Sequence, residues 1–445
     1  MDQQHLFRYS KSYAWVKKYV KFAHSLFYKE VCVVNAERVP DNEPVIFVPN
    51  HQNALMDALA ILLTVDKQPV FMARADIFKK PTVAKILHFL KIIPVYRIRD
   101  GVNSLSNNDQ TFDIAFKALA SGQSVGIMPE GNHGDQHLLR PLKKGVIRLA
   151  FNAQEQLGSD VRVKIVPVGL EYSHYSNFRS RLLVNYGVPI EVNEFLNDYK
   201  TDPQKTINEF RDKLAGEMKK YMLNVDNQEY YNLILDIKNV YAPRLQKHQK
   251  LRDNYYGRFC AEKELTDKLV AIAENNPAIL DNLKPLVQEY NTGLKKLKLR
   301  NWLFNMPQSE KNSFTFDVIK SIAFFPIFLI AFVFNALPYY LTQYFSGKTD
   351  DTQFRSSFKF AVGLILFTLY YLSVLIWPLP LISRFLLIIT MPVLGILSFV
   401  FAISIKKILG KRRYFKMIQR NDPELAQLWH VRQKIFSTLD GLFVV

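Results

Sequence analysis

Cysteine is almost missing from this chain. Two occur in 445 residues, Cys32 and Cys260, and neither stands at a metal-type or redox-type spacing. That argues against a disulfide framework and a thiolate metal site, as expected of a cytosol-facing protein. Acidic residues are also short. Forty Asp and Glu stand against 58 Lys and Arg, a formal net charge of +18. The imbalance calls for an anionic partner: nucleic acid, an acidic membrane surface or phosphorylated substrates. The N-terminus lacks an apolar run followed by a small-residue cleavage site, so no cleaved signal peptide is expected. No internal repeat or low-complexity tract stands out.

What is abundant chooses among these partners. Hydrophobic residues make up 49% and aromatics 13%, with the aromatics and long apolar runs gathered towards the C-terminus. Beside so basic a charge, this favours a lipid bilayer over nucleic acid. The length suffices for two or three domains.

Residues 1–30 contain a basic amphipathic pattern, with Trp15, Tyr19, Phe22 and Leu26 at spacings of four, three and four, and Lys17, Lys18 and Lys21 between. Such a helix suits a membrane interface, or a surface helix docked on its own domain. Residues 31–225 alternate short apolar runs with helical patterns. Strands are expected near 31–34, 45–48, 69–72, 92–96, 125–128, 164–168 and 182–186, and helices near 57–65, 82–90, 109–121, 143–157 and 204–222. That alternation predicts an α/β domain, a largely parallel sheet flanked by helices. Residues 226–312 read as a basic helical connector broken at Pro243, Pro277 and Pro285.

Residues 313–410 form the membrane region, and 411–445 a cytoplasmic tail. The runs 360–382 and 385–405 are each long enough to cross about 30 Å of hydrocarbon. Only Ser383 and Arg384 part them, so they read as a hairpin. Lys406, Lys407, Lys411, Arg412 and Arg413 follow at once and mark a cytoplasmic end. The run 318–345 is interrupted by Pro326, Asn335 and Pro338. An even number of spans is expected, which makes 318–345 re-entrant or interfacial. A spanning 318–345 would put the basic tail opposite the basic N-terminal domain. The whole is expected to be an integral membrane protein with its N-terminal domain facing the cytoplasm.

Four stretches carry chemistry. In the first, an apolar run ends at Pro49-Asn50-His51, and Asp57 follows six positions after the histidine. A His backed by a carboxylate is the minimal general base. Six residues within one helix would separate the pair by about 240°. They meet only if His51 sits on a loop and Asp57 at a helix start; otherwise each is an ordinary surface or cap residue. In the second, the strand at 92–96 ends in Arg97 and Arg99, planar forks that suit a phosphate or pair with Asp100. In the third, the strand at 125–128 ends in Pro129-Glu130-Gly131, and Arg140, Lys143 and Lys144 precede a helix starting near Gly145. Cations and helix N–H groups there favour an anion. The fourth is the apolar run Val166-Pro167-Val168.

Asn-His-x5-Asp at 50–57, Ile-Pro-Val-x-Arg at 93–97, Pro-Glu-Gly at 129–131 with Leu-x-x-Leu-Lys-x-Gly at 139–145, and Val-Pro-Val at 166–168 fall in the order of the four motifs of glycerolipid acyltransferases. Over about residues 30–225 the chain resembles that superfamily of glycerol-3-phosphate and 1-acylglycerol-3-phosphate acyltransferases. Two departures, x5 where x4 is usual and Asn132 where many members carry Thr, are similar to the branch containing fungal glycerol-3-phosphate/dihydroxyacetone-phosphate acyltransferases. The resemblance implies that His51 is the base and Asp57 its partner, that Glu130 and Gly131 shape the acceptor site, and that Arg97, with Arg99, Arg140 and Lys143, holds the phosphate. It implies an acyl thioester donor, acyl-CoA or acyl carrier protein, a phosphorylated glycerol acceptor, and no metal or other cofactor.

Rival readings have weaker patterns behind them. Gly122-Gln-Ser124-Val-Gly126 matches a serine-hydrolase elbow, but its helix precedes and its strand follows, the reverse of the required order. His133-x-Asp135-x-His137 could serve a metal-dependent hydrolase, yet the flanking glycines make it a loop. A non-catalytic lipid-binding or scaffold protein on the same fold is the third.

Overall fold

The computed structural model describes residues 4–96, 107–349 and 354–443. They fall into two compact units. One comprises Met1–Asn224 with Thr349–Phe360, the other Val225–Lys348 with Ala361–Val445.

In the first unit, β1 (Glu30–Val34), β2 (Val45–Pro49), β3 (Val70–Arg74), β4 (Ile92–Val95), β5 (Val125–Gly126), β6 (Lys164–Tyr172), β7 (Arg181–Tyr186) and β8 (Ile190–Glu191) form one sheet. Its order is β1-β7-β6-β2-β5-β3-β4, with β8 beside β6. Neighbours from β6 through β4 pair in parallel, while β7 and β8 run antiparallel to β6. The expected largely parallel sheet is therefore present, with a reversed edge formed by β7 and its parallel neighbour β1. Pro94 is accommodated because β4 is, among the described residues, an edge strand with no ladder to break on its outer side.

Helices α1 (Gln4–Phe7), α2 (Lys11–Phe27), α3 (Leu55–Leu62), α4 (Pro81–Phe89), α5 (Asn107–Ala120), α6 (Gly145–Leu157), α7 (Leu196–Thr201) and α8 (Pro203–Tyr221) complete this unit. Successive residues of β2 point to opposite faces. Ile46 and Val48 pack with Val146, Ile147 and Phe210 of α6 and α8, whereas Val45 and Phe47 pack with Met56, Leu59 and Ala60 of α3. Both faces are covered, so β2 is apolar at every position, as parallel strands are. Each such side chain buried contributes about 1.5–3 kcal/mol.

Helix α2 divides its apolar residues. Tyr13, His24 and Phe27 are buried on the domain, while Trp15, Tyr19 and Phe22 are 73%, 45% and 59% exposed. The helix is thus docked, yet the aromatic stripe read from its sequence faces outward beside Lys11, Lys18 and Lys21.

The second unit is helical: α9 (Tyr231–His248), α10 (Tyr255–Asn275), α11 (Ala278–Lys296), α12 (Gln308–Asn312), α13 (Phe314–Gly347), the body of α14 (Arg355–Ser373), α15 (Leu381–Gln419) and α16 (Pro423–Phe443). Ile234, Ile237 and Tyr241 of α9 share a core with Leu283, Val287 and Tyr290 of α11 and Leu428, Val431 and Ile435 of α16. Residues 226–312 therefore pack around a core of their own, and the segment beyond 411 contributes α16 to it. Pro243 lies inside α9 instead of breaking it. The carbonyl of Asn239, four residues back, accepts a hydrogen bond from Asn301 Nδ2 at 2.7 Å, which satisfies the acceptor that proline leaves unpaired. Pro285 likewise lies inside α11.

Three helices are long and apolar enough to cross a membrane by length and composition: Phe314–Gly347, Arg355–Ile376 and Leu381–Gln419. Two expectations change here. The segment 318–345 is not broken at its prolines; α13 runs unbroken through Pro326 and Pro338. Asn335, read as an interruption, is buried and donates Nδ2 to the Ala331 and Met391 carbonyls at 2.9 and 3.3 Å. Its Oδ1 accepts from Tyr371 at 2.7 Å, so it ties three helices together as polar residues do in bilayers. The break between the two C-terminal apolar runs lies at Trp377–Pro380, where Pro378 and Pro380 interrupt the helix, while Ser383 and Arg384 lie inside α15. Arg384 folds back and donates to the carbonyls of Leu375 and Leu379.

Candidate active site

The site is built at the ends of the parallel strands, where loops leave the sheet. Strand β2 stops at Pro49. Asn50 is fully buried and bonds the β6 backbone both ways, accepting from Leu170 N at 2.7 Å and donating to its carbonyl at 3.1 Å. This pins the loop that carries His51. The chain then turns through Gln52, Asn53 and Ala54 into α3. Ala54 holds φ 47° and ψ −120°, a conformation few residues other than glycine adopt.

That turn brings Asp57, in the first turn of α3, under His51. Asp57 is fully buried, and Nδ1 of His51 lies 2.9 Å from its Oδ2. The same oxygen accepts the backbone N–H groups of Gln52 and Asn53 at 2.9 and 2.7 Å. Oδ1 accepts from the Tyr172 hydroxyl at 2.7 Å. Four donors converge on one carboxylate, which is how a buried negative charge is held. Burial first, and the Asp57 charge second, push the Tyr172 hydroxyl well above its usual range, so it stays protonated and donates. The carboxylate can only accept, so His51 Nδ1 carries the proton and Nε2 is left as the base.

Glu130 closes the other side. It is 3% exposed, and its Oε1 accepts His51 N–H at 2.7 Å while Oε2 accepts Arg140 N–H at 3.1 Å. Burial pushes its carboxyl up to about 7, against the pull of those two N–H groups and the Arg140 charge. Glu130 thus reaches the backbone of the histidine loop. Gly131 turns at φ 71°, and a side chain there would crowd Lys143. Lys143 N donates to the Pro129 carbonyl at 2.7 Å, and Arg140 Nη1 to that of Asn132 at 2.9 Å. The structure therefore brings His51, Asp57, Glu130, Gly131, Arg140 and Lys143 together around one loop cluster. Arg97 and Arg99 lie outside the described residues.

Sequence reasoning missed Tyr172, which looks like an ordinary core tyrosine after the Val-Pro-Val run. It also missed His133 as a neighbour of the base: its ring lies 5.5 Å from that of His51. His137 Nδ1 stands 3.3 Å from Glu171 instead of joining His133 and Asp135. Among the described residues no group of three or more His, Cys, Asp or Glu side chains converges as a metal would require. Ser124 of the elbow-like sequence is fully buried just before β5.

Residues 30–171 match the family model described as Acyltransferase. The match lies wholly within the first unit. Among curated relatives, this acyltransferase region is similar to glycerol-3-phosphate O-acyltransferase 2 of Saccharomyces cerevisiae, 30% identical over 201 residues, 44% of this chain and 25% of that protein. Glycerol-3-phosphate O-acyltransferase 1 of the same yeast is 29% identical over 194 residues, 42% of this chain and 24% of that protein. The chain thus spans about a quarter of the length of these yeast relatives. The 1-acyl-sn-glycerol-3-phosphate acyltransferase of Borreliella burgdorferi is 26% identical over 181 residues, 41% of this chain and 66% of that protein. Among solved structures, the 1-acyl-sn-glycerophosphate acyltransferase of Thermotoga maritima aligns with 47% of this chain and 82% of its own, at 20% identity and a TM-score of 0.33.

Proposed function

We propose that this protein is a membrane-bound O-acyltransferase that moves a fatty acyl group from an acyl thioester to a hydroxyl of a phosphorylated glycerol acceptor, glycerol 3-phosphate or its 1-acyl derivative. The carrying observation is the buried Asp57 carboxylate held against His51 Nδ1, which leaves Nε2 as a fixed proton acceptor. His51 takes the acceptor hydroxyl proton, the alkoxide oxygen bonds to the thioester carbonyl carbon, and the C–S bond breaks. His51 returns the proton to the departing thiolate. Such assistance is worth about 10²–10⁴ in rate. Asp57 offsets the charge on the imidazole between the two transfers.

Arg140 and Lys143, beside the turn at Gly131, offer cations for the acceptor phosphate or for the phosphates of acyl-CoA, with Arg97 and Arg99 as further phosphate ligands. The three apolar helices associate the protein with a bilayer, where acyl chains and lysolipids reside. With two of the three apolar helices crossing, we further infer a cytoplasmic face for the domain, from the basic stretch after residue 405. Proteolysis of sealed vesicles tests this: cleavage in the domain only after the membrane is opened would reverse it.

Membranes bearing the protein, given labelled glycerol 3-phosphate or 1-acylglycerol 3-phosphate with oleoyl-CoA or oleoyl-acyl carrier protein, test the reaction. Label entering a lipid product with one acceptor supports the reading and names the acceptor. Liposome binding with no transfer from any thioester would favour the scaffold reading.

A further inference from the structure

The polar groups of the histidine loop are not all satisfied by the acyltransferase domain. Helix α3 begins with unpaired backbone N–H groups, as every helix does, and the residue before it, Ala54, has no side-chain oxygen to cap them. The cap arrives from three hundred residues downstream. Leu55 N–H donates to Ser357 Oγ at 3.1 Å. The neighbouring Ser356 hydroxyl donates to Asn53 Oδ1, on the residue whose backbone N–H holds Asp57. Both serines are buried, at 1% and 6% exposure. They lie in the first turn of α14, which clusters with the first unit although the rest of the helix does not. The ring of Phe354 packs edge-on against His133 at 4.5 Å, and His133 in turn faces His51.

We propose that Ser356 and Ser357 are positioning residues for acyl transfer, closing the loop that aims His51 and Asp57. They touch the loop at the residues on either side of the strained Ala54, which is where a turn of that kind needs holding. A packing role alone would require apolar contacts at these positions. Instead each hydroxyl meets a specific polar atom of the loop, and the Asn53 oxygen, on a fully buried residue, would be left unpaired without Ser356. The acyltransferase domain is on this view incomplete at residue 224, and the loop is finished by a segment that follows the first long apolar helix.

The inference rests on the acyl-transfer reading, and the test separates the two. In the full-length protein, Ser356→Ala/Ser357→Ala is expected to lower kcat about 10²-fold, the scale of a misaimed catalytic group, with KM for both substrates nearly unchanged. Hydrogen exchange is expected to quicken at Gln52–Leu55 and to stay unchanged in β2 and β6. Ser357→Thr, which keeps the hydroxyl, should restore that single site. Adding Ser356→Ala to Asn53→Ala should cost nothing further. Unchanged kcat with unchanged exchange would overturn the proposal. So would exchange rising across the whole sheet, the mark of a merely structural role. An inert wild type would sink the reaction, while exchange at Gln52–Leu55 would still decide the positioning role.

Discussion

His51 and Asp57 stand six positions apart, and their Nδ1 and Oδ2 atoms lie 2.9 Å apart because the turn between them folds the loop back over the start of α3. Asp57 does more than face the imidazole, since two backbone N–H groups and the Tyr172 hydroxyl also end on it. Asp57→Asn keeps the size and loses this. An amide presents one acceptor and one donor to four donors, so at least one donor is left opposed. Steady-state kinetics should show kcat reduced by about 10³-fold or more. A loss under tenfold would mean the carboxylate does not orient the base.

Ala54 makes the turn with a positive φ that a methyl side chain tolerates poorly. A β-branched residue has no comfortable rotamer there. Ala54→Val is expected to lower unfolding free energy by about 2 kcal/mol or more. Denaturant titration against wild type checks this; equal midpoints would show that the turn is not strained.

Glu130 gives stability a pH dependence of calculable sign. Its carboxyl is pushed up to about 7 in the folded protein by burial, from 4.5 when free. Between those values the folded state keeps a proton that the unfolded state has released, so stability falls as pH rises through the window. The full shift corresponds to about 3 kcal/mol. Glu130→Gln cannot ionise. Comparing the two proteins at pH 4.5 and 7.5, the variant should gain on wild type at the higher pH, whatever constant offset the lost acceptor imposes. Parallel stability curves would contradict the burial argument.

Much of the acyltransferase domain was legible in the sequence because its strands are buried on both faces and so read as apolar runs ending at loops. For His51 and Asp57 the residues alone left the pairing conditional on a loop followed by a helix start, and the motif resemblance made it an expectation. The remainder was hidden for physical reasons. Ser356 and Ser357 look like an ordinary polar helix start, and nothing in one dimension joins them to Asn53 and Leu55. Tyr172 follows an apolar strand and reads as core. Glu130 has its acceptor-site role from the motif resemblance, and its bonds to the backbone of His51 and Arg140 join residues far apart in sequence. Pro243 reads as a break, because the Asn301 side chain that serves the carbonyl of Asn239 is distant in sequence. Asn335 reads as an interruption, because only packing shows the helices it joins.

The most direct test replaces the base itself. Full-length His51→Ala should bind membranes and unfold like wild type, since His51 is a partly exposed loop residue whose backbone N–H to Glu130 is retained. Its transfer of labelled acyl groups from oleoyl-CoA or oleoyl-acyl carrier protein to glycerol 3-phosphate or 1-acylglycerol 3-phosphate should drop to background. Near-normal turnover by that variant would contradict the account.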